Sequence, residues 1–171
     1  MWIAMVSAAA FGGCGLKIVG PDPLTGNVIV AAPETLGVGQ LLELDHHSKP
    51  TGSMEPWVLA WVFVFGGVHD RVLSASDTTI DLALGSGAKL HGALVADAAP
   101  VPQATATGAV TQYTTVFALS QADVEALAAS EIAFLRVSEA GDQVMSFDAS
   151  KVRALKKYPA RVQCVLDEIG G

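Results

Sequence analysis

The sequence predicts an α+β fold, a mainly antiparallel β-sandwich or rolled sheet with two helices in the C-terminal third. Three observations carry this. Thr78 to Leu84, TTIDLAL, alternates apolar and polar residues at the period of a half-buried strand. Short glycine-containing turns separate successive strand-like runs, which favours hairpins over the long crossovers that parallel strands need. Helical spacing with a start signal is confined to the chain after Ser120. At 171 residues the chain fits one domain with a short leader. The expected division is an export leader over 1–13, a linker over 14–26, and a single β-rich domain over 27–171.

Residues 1 to 15 read MWIAMVSAAAFGGCG. The apolar run Trp2 to Phe11 has the length and flanks of a secretory h-region, followed by small residues and then Cys14. FGGC resembles the lipobox of bacterial lipoproteins, in which the cysteine thiol is acylated and becomes the new N-terminus. Phe11 stands where that family most often has Leu, and nothing basic precedes Lys17. The resemblance implies a bacterial envelope location, lipid-anchored through Cys14 or periplasmic. Two other fates of Cys14 stay open. It can be a small core residue, or it can pair with Cys164, the second of two cysteines.

The elements follow in order. Gly20 to Gly26, GPDPLTG, is a turn-rich linker, because two prolines and two glycines oppose regular structure. Asn27 to Ala32 and Leu41 to Asp45 are short strands, and His46 to Pro56 is a polar loop. Trp57 to Phe65 is apolar on both faces and belongs in the middle of a sheet or between layers. Its Trp57 and Trp61 are four apart and share a face, which belongs to the core or, as the alternative, marks a partner-binding surface, where aromatic residues concentrate. Arg71 to Ala75 is a short strand. Thr78 to Leu84 and Lys89 to Val95, joined by Gly85-Ser86-Gly87, form a hairpin. Ala96 to Gln112, rich in Ala, Thr, Pro and Val, is a loop.

Thr114 to Leu119 is a strand that runs into a helix. Ser120 and Asp123 form the S-x-x-[DE] capping signal, and Val124, Leu127 and Ala128 make one apolar stripe. A hairpin follows, IAFLRVS turning at Gly141-Asp142 and returning over Gln143 to Phe147. Arg136 in its first strand is expected to pair with Glu139 or Asp123. A last helix is expected from Ser150 to Tyr158, interrupted by Pro159, with Val162, Val165, Leu166 and Ile169 at helical spacing beyond it.

Composition narrows the function. A net charge of −7 and a pI near 4.9 speak against nucleic acid as a partner, since phosphate binding needs clustered Lys and Arg. Apolar residues reach 51% and the mean hydropathy is +0.44. No run approaches the roughly 18 to 20 apolar residues of a membrane-spanning helix.

Two stretches suggest chemistry. TGSMEP, residues 51 to 56, resembles the serine motif of type I signal peptidases and related self-cleaving repressors. The resemblance implies Ser53 as nucleophile and a buried lysine as general base. Lys89 lies at a suitable distance along the chain, although WVLAWVFVFGG replaces the family's following segment and Trp57 stands where a small residue is usual. Asp45-His46-His47, His69-Asp70 and His91 could hold a metal only if the fold gathered them, and neighbouring strand residues face opposite ways. Scaffold is the simpler reading of both stretches. The expectation is therefore a membrane-tethered envelope protein with a binding or structural accessory role, without metal or cofactor, whose partner is an unidentified protein or small-molecule ligand. A serine–lysine peptidase using Ser53 and Lys89 is the alternative.

Overall fold

A computed structural model describes residues 14–52 and 55–170. The expected leader over 1–13 and the candidate nucleophile Ser53 lie outside the described residues. The fold is the sheet-rich α+β arrangement that the alternation and the turns predict.

Among the described residues, ten strands form one antiparallel sheet. Four run as a meander: β1 (Lys17–Val19), β2 (Ile29–Gly37), β3 (Gln40–His47) and β4 (Trp57–Gly66). Then come the hairpin β5 (Thr78–Leu84) and β6 (Lys89–Leu94), and a second hairpin, β7 (Val101–Thr105) and β8 (Gly108–Leu119). The chain crosses through α1 (Gln121–Ala129) to β9 (Ile132–Glu139) and β10 (Asp142–Asp148), then closes with α2 (Tyr158–Gly170). The lateral order is β1-β2-β3-β4-β8-β6-β5-β9-β10, with β7 beside the first half of β8.

The sheet is rolled, as one distance proves. β10 lies five strands from β4 in the lateral order, which a flat sheet would put at about 24 Å. The rings of Trp61 and Phe147 nevertheless stand 6.4 Å apart, centroid to centroid. The bend falls where β6 meets β8, because only Ala93 and Leu94 pair there, with Ala118 and Phe117. Gly92 makes this corner possible. A Cβ on it would stand 2.9 Å from the Ala118 carbonyl oxygen and 3.0 Å from Ile80 Cγ2. We expect Gly92→Ala to cost about 2 kcal/mol by overpacking, read as a lower urea midpoint at unchanged slope.

One face of the central strands fills the roll. Trp57, Leu59, Trp61 and Phe63 of β4 alternate inward and are buried, so the two tryptophans share a face as their spacing predicts, and that face is the core. The helices line the same side: Val124 and Leu127 from α1, and Tyr158, Val162 and Val165 from α2. The capping box at Ser120 and Asp123 forms as expected. Trp57 Nε1 donates to Gln121 Oε1 at 2.7 Å, which fixes the start of α1 against β4.

Several boundaries differ from the sequence reading, each for a physical reason. Pro159 does not interrupt a helix; it sits in the first turn of α2, where the missing N–H has no helical partner to lose. Ser150 to Tyr158 holds only a short 3-10 turn, Ala149–Lys151, before that start. Pro33 does not end β2. β1 covers only Ile29 to Ala31, so Pro33 lies where the outer edge of β2 is open and no donor is needed. β3 runs on through His46 and His47. Lys17–Val19, assigned to the linker, pairs with β2. Of Arg71 to Ala75, only Leu73 bridges, to Ala98.

The largest difference is Ala96 to Gln112, expected as a loop. Most of it is the β7–β8 hairpin, closed by Ala106-Thr107. Every residue of β7 is exposed, so no buried face imposes alternation on the sequence. Pro102 opposes Thr111 in this hairpin. Lacking an N–H, it suits the open edge of β7 and makes that edge a poor template for further pairing.

Candidate functional site

Among the described residues, those singled out from the sequence do not converge. Lys89 is exposed at the start of β6. Thr51, Gly52 and Glu55, which flank Ser53, border a concavity with Ala93, Leu94 and Val95 at the far end of that strand. Four to six residues of strand from Lys89 to these positions span about 13 to 20 Å. The histidines are dispersed. His46 packs its ring on Trp57 at 4.6 Å, and Asn27 Nδ2 lies 3.1 Å from His47 Nδ1. His69 lies against Phe65, and His91 sits on the opposite leaf of the sheet. No three His, Cys, Asp or Glu side chains among the described residues group as metal ligands.

Cys14 and Cys164 form a disulfide with their Cα atoms 6.3 Å apart, across a sequence separation of 150. The bond ties the chain just before β1 to the middle of α2. A sulfur in this bond has no thiol left to carry a thioether-linked lipid. The lipid anchor expected on Cys14 and the disulfide are thus alternative fates of one atom, and the structure has the disulfide. Two hydrogen bonds tie α2 to β2 as well: Tyr158 Oη donates to the Ala32 carbonyl at 3.1 Å, and Arg161 Nη1 to that of Pro33 at 2.6 Å.

Among the described residues, polar side chains converge on the outer face of β6, β5 and β9. Cross-strand register builds two parallel rows. His91, Asp81 and Arg136 stand directly opposite one another, and in the adjoining row so do Lys89, Ala83 and Phe134. Ile80, Leu82 and Leu84 of β5 point inward and are buried, which forces Asp81 and Ala83 outward.

Asp81 accepts from Arg136 Nη2 at 2.6 Å and from His91 Nδ1 at 2.9 Å. An ionised carboxylate only accepts, so His91 Nδ1 carries the hydrogen. The Arg136 hydrogen bond first, then that of His91, holds the Asp81 carboxyl below its ordinary value. Arg136 therefore pairs with neither Glu139 nor Asp123. Glu139 is buried and held by Arg71 and by the Ser74 amide, while Asp123 caps α1. Sequence reasoning missed this trio because the partners are 10 and 55 residues apart and meet only through strand order.

The second row is hollow at its centre. Ala83 is small and stands between Lys89 and Phe134. The resulting concavity, about 250 Å³, is lined by Asp81, Leu82, Ala83, Lys89, Phe134 and Arg136. Lys89 makes no ion pair among the described residues, and Phe134 keeps 38% of its surface exposed.

No protein-family model, curated protein or solved structure matches this chain. No helix among the described residues is long and apolar enough to cross a membrane.

Proposed function

We propose that this chain is an exported bacterial envelope protein with a binding or structural accessory role. The Cys14–Cys164 disulfide is the observation that supports it most directly. Such bonds persist where the surroundings are oxidising, as in the periplasm, and are rare in the cytosol. The secretory character of Trp2 to Phe11 points the same way. Lys89 also favours an accessory over a serine–lysine peptidase: a lysine general base needs shelter from water to lose its proton near neutral pH, and Lys89 is exposed.

The test is mass spectrometry of the cell fractions without reduction. The expected result is a cross-linked peptide joining Cys14 to Cys164 in the periplasmic fraction. Free thiols on protein that stays in the cytosol would overturn export. A diacylglyceryl group on Cys14 in the membrane fraction would keep export and replace the disulfide by an anchor.

A further inference from the structure

We infer that the hollow over Ala83 is a binding site for a small organic anion with a flat apolar body, such as an aromatic carboxylate. Register and chemistry carry the inference together. The floor is Ala83, and the two walls are residues directly opposite it on either side, Lys89 and Phe134. The end wall is Arg136, oriented by Asp81. A planar apolar group can lie on the exposed ring of Phe134. Its carboxylate then meets the Lys89 ammonium and the Arg136 N–H groups that Asp81 leaves unused.

Charge supports an anion. The protein as a whole is at −7, yet within the hollow Lys89 and Arg136 outnumber Asp81. Asp81 already accepts from two donors. Asp148, opposite Phe134 on β10, accepts from Ser150 and has Lys151 beside it. Those carboxylates are compensated, whereas the Lys89 charge is not. Size sets the class: about 250 Å³ falls just below the roughly 300 to 1,000 Å³ of pockets for drug-sized ligands. The hollow fits a fragment and not a nucleotide or a peptide.

This inference names a ligand class for the binding role and rests on that half of the proposed function, not on export. It is tested on purified, disulfide-bonded protein, so its failure is distinct from a failure of export. The probe is benzoate, titrated against ¹⁵N-labelled protein, with neutral benzamide as its uncharged counterpart. We expect benzoate to shift the amides around Ala83, Lys89, Phe134 and Arg136 with a Kd on the order of 1 mM, in keeping with so few non-hydrogen atoms. Benzamide should bind about tenfold more weakly, and added salt should narrow the gap. Ala83→Leu should fill the floor and abolish the shifts at an unchanged melting temperature. Lys89→Gln, at an exposed position that folding does not need, should weaken benzoate about fivefold and leave benzamide unaffected. The inference is overturned if benzoate shifts none of these amides, if benzamide binds as tightly, or if Lys89→Gln leaves the benzoate affinity intact.

Discussion

Cys164→Ser is expected to lower the stability of the oxidised protein by about 4 kcal/mol, among the largest effects of any single substitution here. The magnitude comes from the unfolded chain. Joining residues 150 apart removes about 5 kcal/mol of loop entropy in the chain-entropy model, and native disulfides commonly deliver somewhat less. The folded state contributes through the same contact. Release of Cys14 frees the segment that leads to buried Leu16 and three-residue β1, which covers the outer edge of the first part of β2. Guanidinium unfolding with and without reductant measures the effect. The parent should lose about 4 kcal/mol on reduction, and the variant should not respond. Cys14→Ser should match Cys164→Ser, and the double variant should add almost nothing, since both remove one bond. A parent indifferent to reductant would mean that the bond is not formed in solution.

The sequence made legible those elements whose signal is local. The β5–β6 hairpin follows from strict alternation on either side of Gly85-Ser86-Gly87, and α1 from a capping box that needs only Ser120 and Asp123. Strand period alone puts Trp57 and Trp61 on one face; their burial decides that the face is the core. Elements without a buried face left no such trace. β7 is stabilised by backbone pairing to β8, not by burial, so Thr, Ala, Pro and Gln serve there as well as any other residues. The prolines misled in one direction, marking element ends where the chain continues. Pro33 lies within a strand and Pro159 within a helix, because what matters is whether the missing N–H had a partner at that position.

The candidate site was the least legible, and strand order explains why. Asp81 and His91 share a hairpin and were within reach of sequence reasoning, but β9 joins β5 only after the chain has made β6, β7, β8 and α1. Arg136 thus meets a carboxylate 55 residues away instead of Glu139, three residues on. The hollow over Ala83 is less visible still: it arises because a small residue lies between two large ones on three different strands. Lys89 drew notice as a partner for Ser53. Its place beside Ala83 gives it a different use, as a solvent-facing positive charge at the rim of a shallow site.

Asp45→Asn is expected to stabilise the protein by about 2 kcal/mol at pH 8 and to change little at pH 4. Asp45 lies on β3 between Ala31 and Val58, neighbours that offer no hydrogen bond from their side chains. Its Oδ1 is buried without a partner among the described residues. Burial first, then the Glu43 charge, pushes its pKa up to about 7, against a smaller opposing pull from Lys17. Tyr158 lies within range of the same carboxyl, and its own pKa is raised chiefly by burial.

The sign follows from proton linkage. Between about pH 4 and pH 7 the unfolded chain has released the Asp45 proton while the folded chain retains it, so stability falls as pH rises through that window and levels off above it. A shift of this size corresponds to about 4 kcal/mol as an upper bound, and partial access to water reduces it to about half. His46 and His47, whose pKa values burial lowers, act in the opposite direction, since their contribution is lost as pH falls. The measurement is therefore the difference between parent and Asp45→Asn in urea unfolding at each pH, which cancels the histidines. That difference should grow from near zero at pH 4 to its full value by pH 8. A difference that stays flat across the window, or a variant less stable than the parent at pH 8, would show that Asp45 is ionised in the folded protein with a partner in solution, and that the outer face of β3 carries a fixed negative charge at neutral pH.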